Sequence, residues 1–436
     1  MPRKGNESID TLKTRITFFC WWITQLGTSS VTAAVCASLL YLTGCGSAPV
    51  TFNYTTETPS KLSDWGILEV RDGRVQVDAD TVVYTLASPL FSDHALKFRT
   101  INVPEGRTVA VTDRGRFDYP VGTVITKTFF YKTTEAHSHD GQLRFLAVSD
   151  IATPTPNDLR EIELNAVQLI ETRLLVRREA GWQALPYRWR ADQTDAELLP
   201  AGDLLLADMV FEDQSEASFA YLVPNQNQCA GCHVLDQSTK AIEPIGPHQK
   251  HLQRVTGPNQ LDEWSSSGLI DTEHLRDDLA WTQVDHRDER HTLNDRARSY
   301  LDINCGHCHS ATGPADTSGL YLNGETLDRV RLGWCKAPIA AGQGTGGHQY
   351  GIVPGHPERS ILYYRMQSRD PGAMMPELGR NLLDEAGSAL VAKWIDEMEP
   401  SPCQGEEAPA VGRQLGTSDL ASIDHRAYEL ISTQGE

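Results

Sequence analysis

Two five-residue runs constrain this chain more than anything else in it: CAGCH at 229–233 and CGHCH at 305–309. With 9 Cys and 14 His in 436 residues, chance supplies roughly 0.006 Cys-x-x-Cys-His pentapeptides, so a pair of them is a signal. Two thiols separated by two residues in a helical turn can each form a thioether with the vinyl-derived carbons on one edge of a porphyrin. The adjacent imidazole then lies under the ring as the proximal ligand of iron. The expectation is two covalently bound haem c groups, one held by Cys229, Cys232 and His233 and the other by Cys305, Cys308 and His309. The rival chemistries explain less. A four-sulfur zinc site would have to bridge the 72 residues between the two cysteine pairs and would leave both histidines unexplained. A thioredoxin-like dithiol needs a βαβ setting that the flanking text lacks.

Covalent haem of this kind suits an exported protein, and the N-terminus reads that way. Arg3, Lys4, Lys13 and Arg15 precede a largely apolar stretch that ends in LTGC, so residues 1–44 are expected to be a signal peptide. The tetrapeptide resembles a bacterial lipobox, with Cys45 as the lipidated first residue of the mature chain and Gly46 directing it to the outer membrane. An uncleaved anchor helix is the plainer alternative. Of the nine cysteines, Cys20 and Cys36 leave with the signal, Cys45 carries lipid and four belong to the motifs. Cys335 and Cys403 remain, and in an oxidising compartment they are expected to form a disulfide. The whole chain carries 39 Lys+Arg against 58 Asp+Glu, a net charge of -19. That balance repels phosphate backbones, so nucleic acid is not an expected partner.

The text divides into an α+β multidomain order. Residues 45–60, rich in Thr, Ser and Pro, form a tether. Residues 61–224 hold β-branched and aromatic runs such as GTVITKTFFYK and QLIETRLLVRR between turn residues, which predicts a β-sandwich of jelly-roll type. Residues 225–285 carry the first haem-binding segment. Residues 286–402 form a mainly α, class I-like cytochrome c region with the second haem. It has a helix over about 292–304, an ordered Gly/Pro loop over about 311–383, and a closing helix at 384–399 with Leu390, Val391, Trp394, Ile395 and Met398 on one stripe. A tail, 403–436, ends the chain.

Iron needs a sixth ligand. For the second haem, SRDPGAMMPELGR offers Met375, which abuts a proline in a polar loop, then Met374; Met366, just before that segment, is a distant third. For the first, His248 and His251 are candidates, as are Met209, His94, His137 and His139 from the β region; an open position is the further possibility.

The blocks SPLFSDHALKFR, YPVGTVITKTFFY, VPNQNQCAGCH, RARSYLDINCGHCH, GWCKAPIAAGQGTGG and IVPGHPERSILYYRM with its MMPELGR loop resemble a family of exported bacterial dihaem c-type cytochromes, over about residues 61–400. The resemblance implies haem attachment at the two motifs, a distal ligand in the Met-Pro loop, and electron transfer. In that family the positions of His248 and His251 need not be histidine, which weakens both as ligands. The function expected is a periplasm-facing, lipid-anchored electron carrier that docks a basic or multihaem redox partner. A dihaem peroxidase with an open first haem is the alternative, and a ligand-binding β module a third reading.

Overall fold

Alternating β-branched and aromatic residues make strands of the first half of the chain. The computed structural model describes residues 56–403 apart from 113–114, 134–137, 140–141, 148–160, 254–258, 274, 276–278, 280, 340 and 401. The expected signal segment 1–44, Cys45 with its lipid, most of the 45–60 tether, His137, the side chain of His139 and residues 404–436 lie outside the described residues. The strands are β1 (Leu68–Arg71), β2 (Arg74–Val77), β3 (Thr81–Val83), β4 (Leu96–Asn102), β5 (Ala110–Val111), β6 (Phe117–Asp118), β7 (Val124–Lys132), β8 (Ser138–His139), β9 (Gln142–Leu146), β10 (Glu161–Glu163), β11 (Val167–Arg178), β12 (Gly181–Trp189), β13 (Ala196–Leu198), β14 (Asp203–Val210) and β15 (Glu216–Val223).

The order β13-β12-β11-β7-β9-β14-β15, with β3, β4 and β8 added, forms a ten-stranded sheet, and β1, β2 and β10 form a three-stranded one. One face of the large sheet packs on the small sheet: Phe98, Leu174, Leu185 and Tyr187 meet Trp65, Leu68, Val75 and Ile162. Threonines on that face satisfy one another. Thr100 and Thr126 share a hydroxyl hydrogen bond of 2.7 Å, Thr128 and Thr172 one of 2.8 Å, and the Trp189 indole donates to Thr172. This removes the cost of burying unpaired hydroxyls. The expected jelly roll, two four-stranded antiparallel sheets, is replaced by an unequal pair of sheets in which β9 and β14 run parallel. Alternation sets which face a residue takes but not which strand it pairs with.

After Val223 come α1 (Gln226–His233), α2 (Gln249–Leu252), α3 (Gln260–Ser266), α4 (Leu293–Leu301), α5 (Ile361–Gln367) and α6 (Glu385–Asp396). The region 286–402 is not mainly α, contrary to expectation. Between the second motif and α5 the described helical segments are single turns at Asp316–Ser318, Gly342–Thr345 and Pro357–Arg359, because glycines recur every few residues and none of the text keeps a helical period. The two longer helices do pack together. Leu390, Val391, Trp394, Ile395 and Met398 all turn into one apolar cluster with Ala297, Tyr300 and Leu301 of α4. Five such side chains are worth about 10 kcal/mol of gross burial. Gly387 makes the close crossing possible, since a Cβ there would overlap the Tyr300 ring. Cys335 and Cys403 are bonded, with Cα atoms 5.2 Å apart, and tie the irregular segment to the end of the described chain.

Buried hydrogen bonds join the strand region to the helical one. The Ser88 hydroxyl meets His286 Nδ1 at 2.7 Å, and the Phe91 amide donates to the Asn304 side chain at 2.9 Å. Asp93 Oδ1 accepts the amides of Asn381 and Leu382 at 2.6 and 2.7 Å. No helix among the described residues is long and apolar enough to cross a membrane.

Candidate functional site

The first motif occupies α1, whose start is fixed by a capping box. Asn225 accepts the Gln228 amide and the Gln228 side chain accepts the Asn225 amide, satisfying two of the amide donors that a helix start leaves unpaired. At its C-terminal end His233 Nδ1 lies 2.9 Å from the Glu243 carbonyl. A carbonyl only accepts, so Nδ1 carries the proton and Nε2 presents its lone pair. Burial pushes the imidazole down to about 4, which keeps it neutral.

The second motif begins where α4 widens into a π turn, Asp302–Gly306, an irregularity that often marks working sites. Asp302 anchors the turn: its two oxygens accept from Lys250 Nζ, the Gly324 amide and Gln283 Nε2. Burial pushes the Cys305 thiol up to about 12 and lowers His309 to about 4, an effect that the Leu320 backbone partly offsets. His309 Nδ1 is buried without a hydrogen bond of standard geometry.

The two motifs, 76 residues apart in sequence, meet in space. Cys232 lies beside Cys308 and His307, and their interaction draws the Cys232 thiol down while pushing Cys308 up. Cys308 Sγ also lies 3.9 Å from the Gly231 carbonyl. The segments that follow are laced together by Thr312, whose hydroxyl donates to Leu235 O and whose carbonyl accepts the Gln237 amide. Gly313 allows the return, because a Cβ there would strike the Cys308 and His307 carbonyls. Among the described residues no three His, Cys, Asp or Glu side chains converge to hold a metal ion directly, so the four motif cysteines are not arranged as a four-sulfur site.

The Met-Pro loop lies against this junction. Leu378 comes within 3.6 Å of where a Cβ on Gly231 would sit, and the Glu377 carboxylate acts on Cys308. Met374 is buried and Met375 half-buried. The loop is held by Arg380, a buried guanidinium that donates to the carbonyls of Met375, Arg365, Met366 and Ser368 at 2.9–3.2 Å. The Met375 amide in turn donates to Arg365 O.

The remaining ligand candidates sit elsewhere. Met366 is core filling between α4 and α6, and Met209 is fully buried beside Tyr131 and Phe145. His94 is flanked edge-on by Phe91 and Phe211 at 5.1 and 5.6 Å. His251 Nδ1 accepts the His248 amide, so its neutral ring carries the proton on Nε2 and offers no free lone pair. His248 Nδ1 is buried without a standard hydrogen bond, and the two rings lie tilted to each other with centroids 5.2 Å apart.

Sequence reasoning passed over His307, Arg380 and Asp93. Their types carry no motif, and only a spatial neighbour gives them a role. No family model, curated protein or solved structure matches the chain, so the family resemblance rests on the quoted blocks.

Proposed function

We propose that the chain is an electron-transfer protein that carries two haem c groups, exported and tethered by lipid at the outer membrane, facing the periplasm. The observation that carries the reading is the meeting of the two Cys-x-x-Cys-His motifs at Cys232 and Cys308, together with a His233 ring already oriented with Nε2 free. Bound haem supplies a one-electron couple at iron. Haems held at Cys232 and at Cys308 would stand close together, which would suit electron exchange between them. A zinc or dithiol site gives no reason for a histidine after each pair.

The protein's own groups then hold and tune the couple. Glu243 O fixes the His233 tautomer. Arg380 fixes the loop that carries Met375, whose thioether would hold the iron of the second haem and would raise its potential. The crossing of α4 and α6 beside the second motif supports a class I-like reading of that half. The acidic balance of the chain suits a basic or multihaem redox partner.

A pyridine haemochrome count on the purified full chain tests this. Two covalent haems per chain are expected, and one in a Cys229→Ala/Cys232→Ala variant. A colourless chain, or colour lost entirely to acid extraction, refutes the proposal. Steady turnover of hydrogen peroxide with a reduced donor would favour the peroxidase alternative instead.

A further inference from the structure

The face of the large sheet turned away from the small one carries an unusual row. Register places Arg99 opposite Lys127 and Lys127 opposite Arg173 across β4, β7 and β11. Like charges directly opposite one another destabilise a sheet, and long cations normally reach for water. Along the strands the same face is apolar on both sides: Ile101, Ile125, Tyr84 and Trp264 pack on one side, Phe129, Tyr131 and Phe145 on the other.

The carboxylate that acts on Lys127, Glu171, is engaged. Glu171 is held by two bonds from Arg173, at 2.8 and 2.5 Å, and by the Tyr221 hydroxyl at 2.7 Å. Lys97, one row along, gives its ammonium to Leu90 O. The side chains of Arg99 and Lys127 have no ion pair or hydrogen bond among the described residues. Both are deeply enclosed, enough for burial to push Lys127 down to about 7 and to lower Arg99. Both nonetheless keep some accessible surface.

The row lies beside the first motif. Lys127 acts on Cys232 and His233, Arg173 acts on Cys229, and Arg99 acts on His251. Lys127 has only the Phe129 ring, 5.0 Å from its ammonium, and the already engaged Glu171 nearby, so two enclosed cations without an ion pair of their own call for an anion. A porphyrin attached at Cys229 and Cys232 brings two carboxylates.

We propose that Arg99 and Lys127 receive the propionate carboxylates of the first haem, so that the large sheet is a wall beside that haem and sets its potential. The proposal rests on the haem reading above. Removing a cation beside the propionates favours the ferric form, which carries the extra positive charge, so the midpoint falls.

The test is a spectroelectrochemical titration of the full holoprotein, with the first haem's midpoint identified as the one missing from Cys229→Ala/Cys232→Ala. Lys127→Gln and Arg99→Gln are expected to lower that midpoint by about tenfold in the reduction equilibrium, about 59 mV for one electron. They leave the second midpoint in place, Lys127→Arg restores the first, and the exposed control Arg107→Gln moves neither. A variant that keeps two haems by haemochrome count and leaves the first midpoint unmoved, or moves both equally, overturns the proposal while the haem reading stands. A wild-type chain without covalent haem overturns both. A chain that loses only the first haem in Lys127→Gln and regains it in Lys127→Arg supports the proposal.

Discussion

Replacing Arg380 isolates the methionine loop from the rest of the structure. One nitrogen, Nη2, is shared among the carbonyls of Arg365, Met366, Ser368 and Met375, and Nε adds a second bond to Met375 O. Sharing makes these worth less than five separate bonds. Counted as two full charge-assisted bonds at about 2 kcal/mol each, they contribute about 4 kcal/mol to closing the loop on α5. At about 1.4 kcal/mol per tenfold, Arg380→Ala shifts the loop towards open by roughly a thousandfold. The expected result is loss of the near-infrared charge-transfer band of a methionine-ligated ferric haem, and a fall in one midpoint, with two haems still counted per chain. Arg380→Lys, which keeps the charge without the fork, recovers only part of the band. A folded Arg380→Ala protein with an undiminished band and unchanged midpoints refutes both the loop argument and the assignment of its ligand.

Three further outcomes are expected. Breaking the Cys335–Cys403 bond, which spans 68 residues, with Cys335→Ser/Cys403→Ser costs about 4 kcal/mol by loop entropy; equal thermal midpoints for the variant and the wild type contradict this. Burial holds His286 down to about 4, below its unfolded value, so its contribution is present above about 6.5 and is lost as pH falls towards 4. The stability change across that window is at most about 3 kcal/mol, read by denaturant titration, and His286→Gln flattens it. Gly387→Ala forces a methyl into the Tyr300 ring and lowers stability by about 1–3 kcal/mol; a neutral result means α4 and α6 are further apart than described.

Much of the local structure could be read from the residues alone. The stripe Leu390, Val391, Trp394, Ile395, Met398 marks one helix face, and alternation in VITKTFFYK separates Val124, Thr126 and Thr128 from Ile125, Lys127 and Phe129. The same alternation misleads at Lys127. In a strand with one wet face it reads as a solvent-facing cation, and only the elements laid over that face enclose it. Pairing order was not legible, because β9 and β14 meet through residues more than 60 apart in sequence. The approach of Cys232 to Cys308 was hidden for the same reason: each motif advertises its own chemistry and says nothing about the other. Arg380 and Asp93 are ordinary surface types whose roles exist only once four carbonyls, or two amides, have been gathered around them.

The nearness of Cys232 and Cys308 also bears on the order of assembly. A chain that folded before receiving its cofactors would bring two thiols together in an oxidising compartment, where they would cross-link and leave neither motif able to take a vinyl group. Cys229 and Cys305 would by then be enclosed as well. If the chain carries haem as proposed, ligation would therefore have to act on the extended, reduced polypeptide, with the mature packing closing afterwards around what had already been attached.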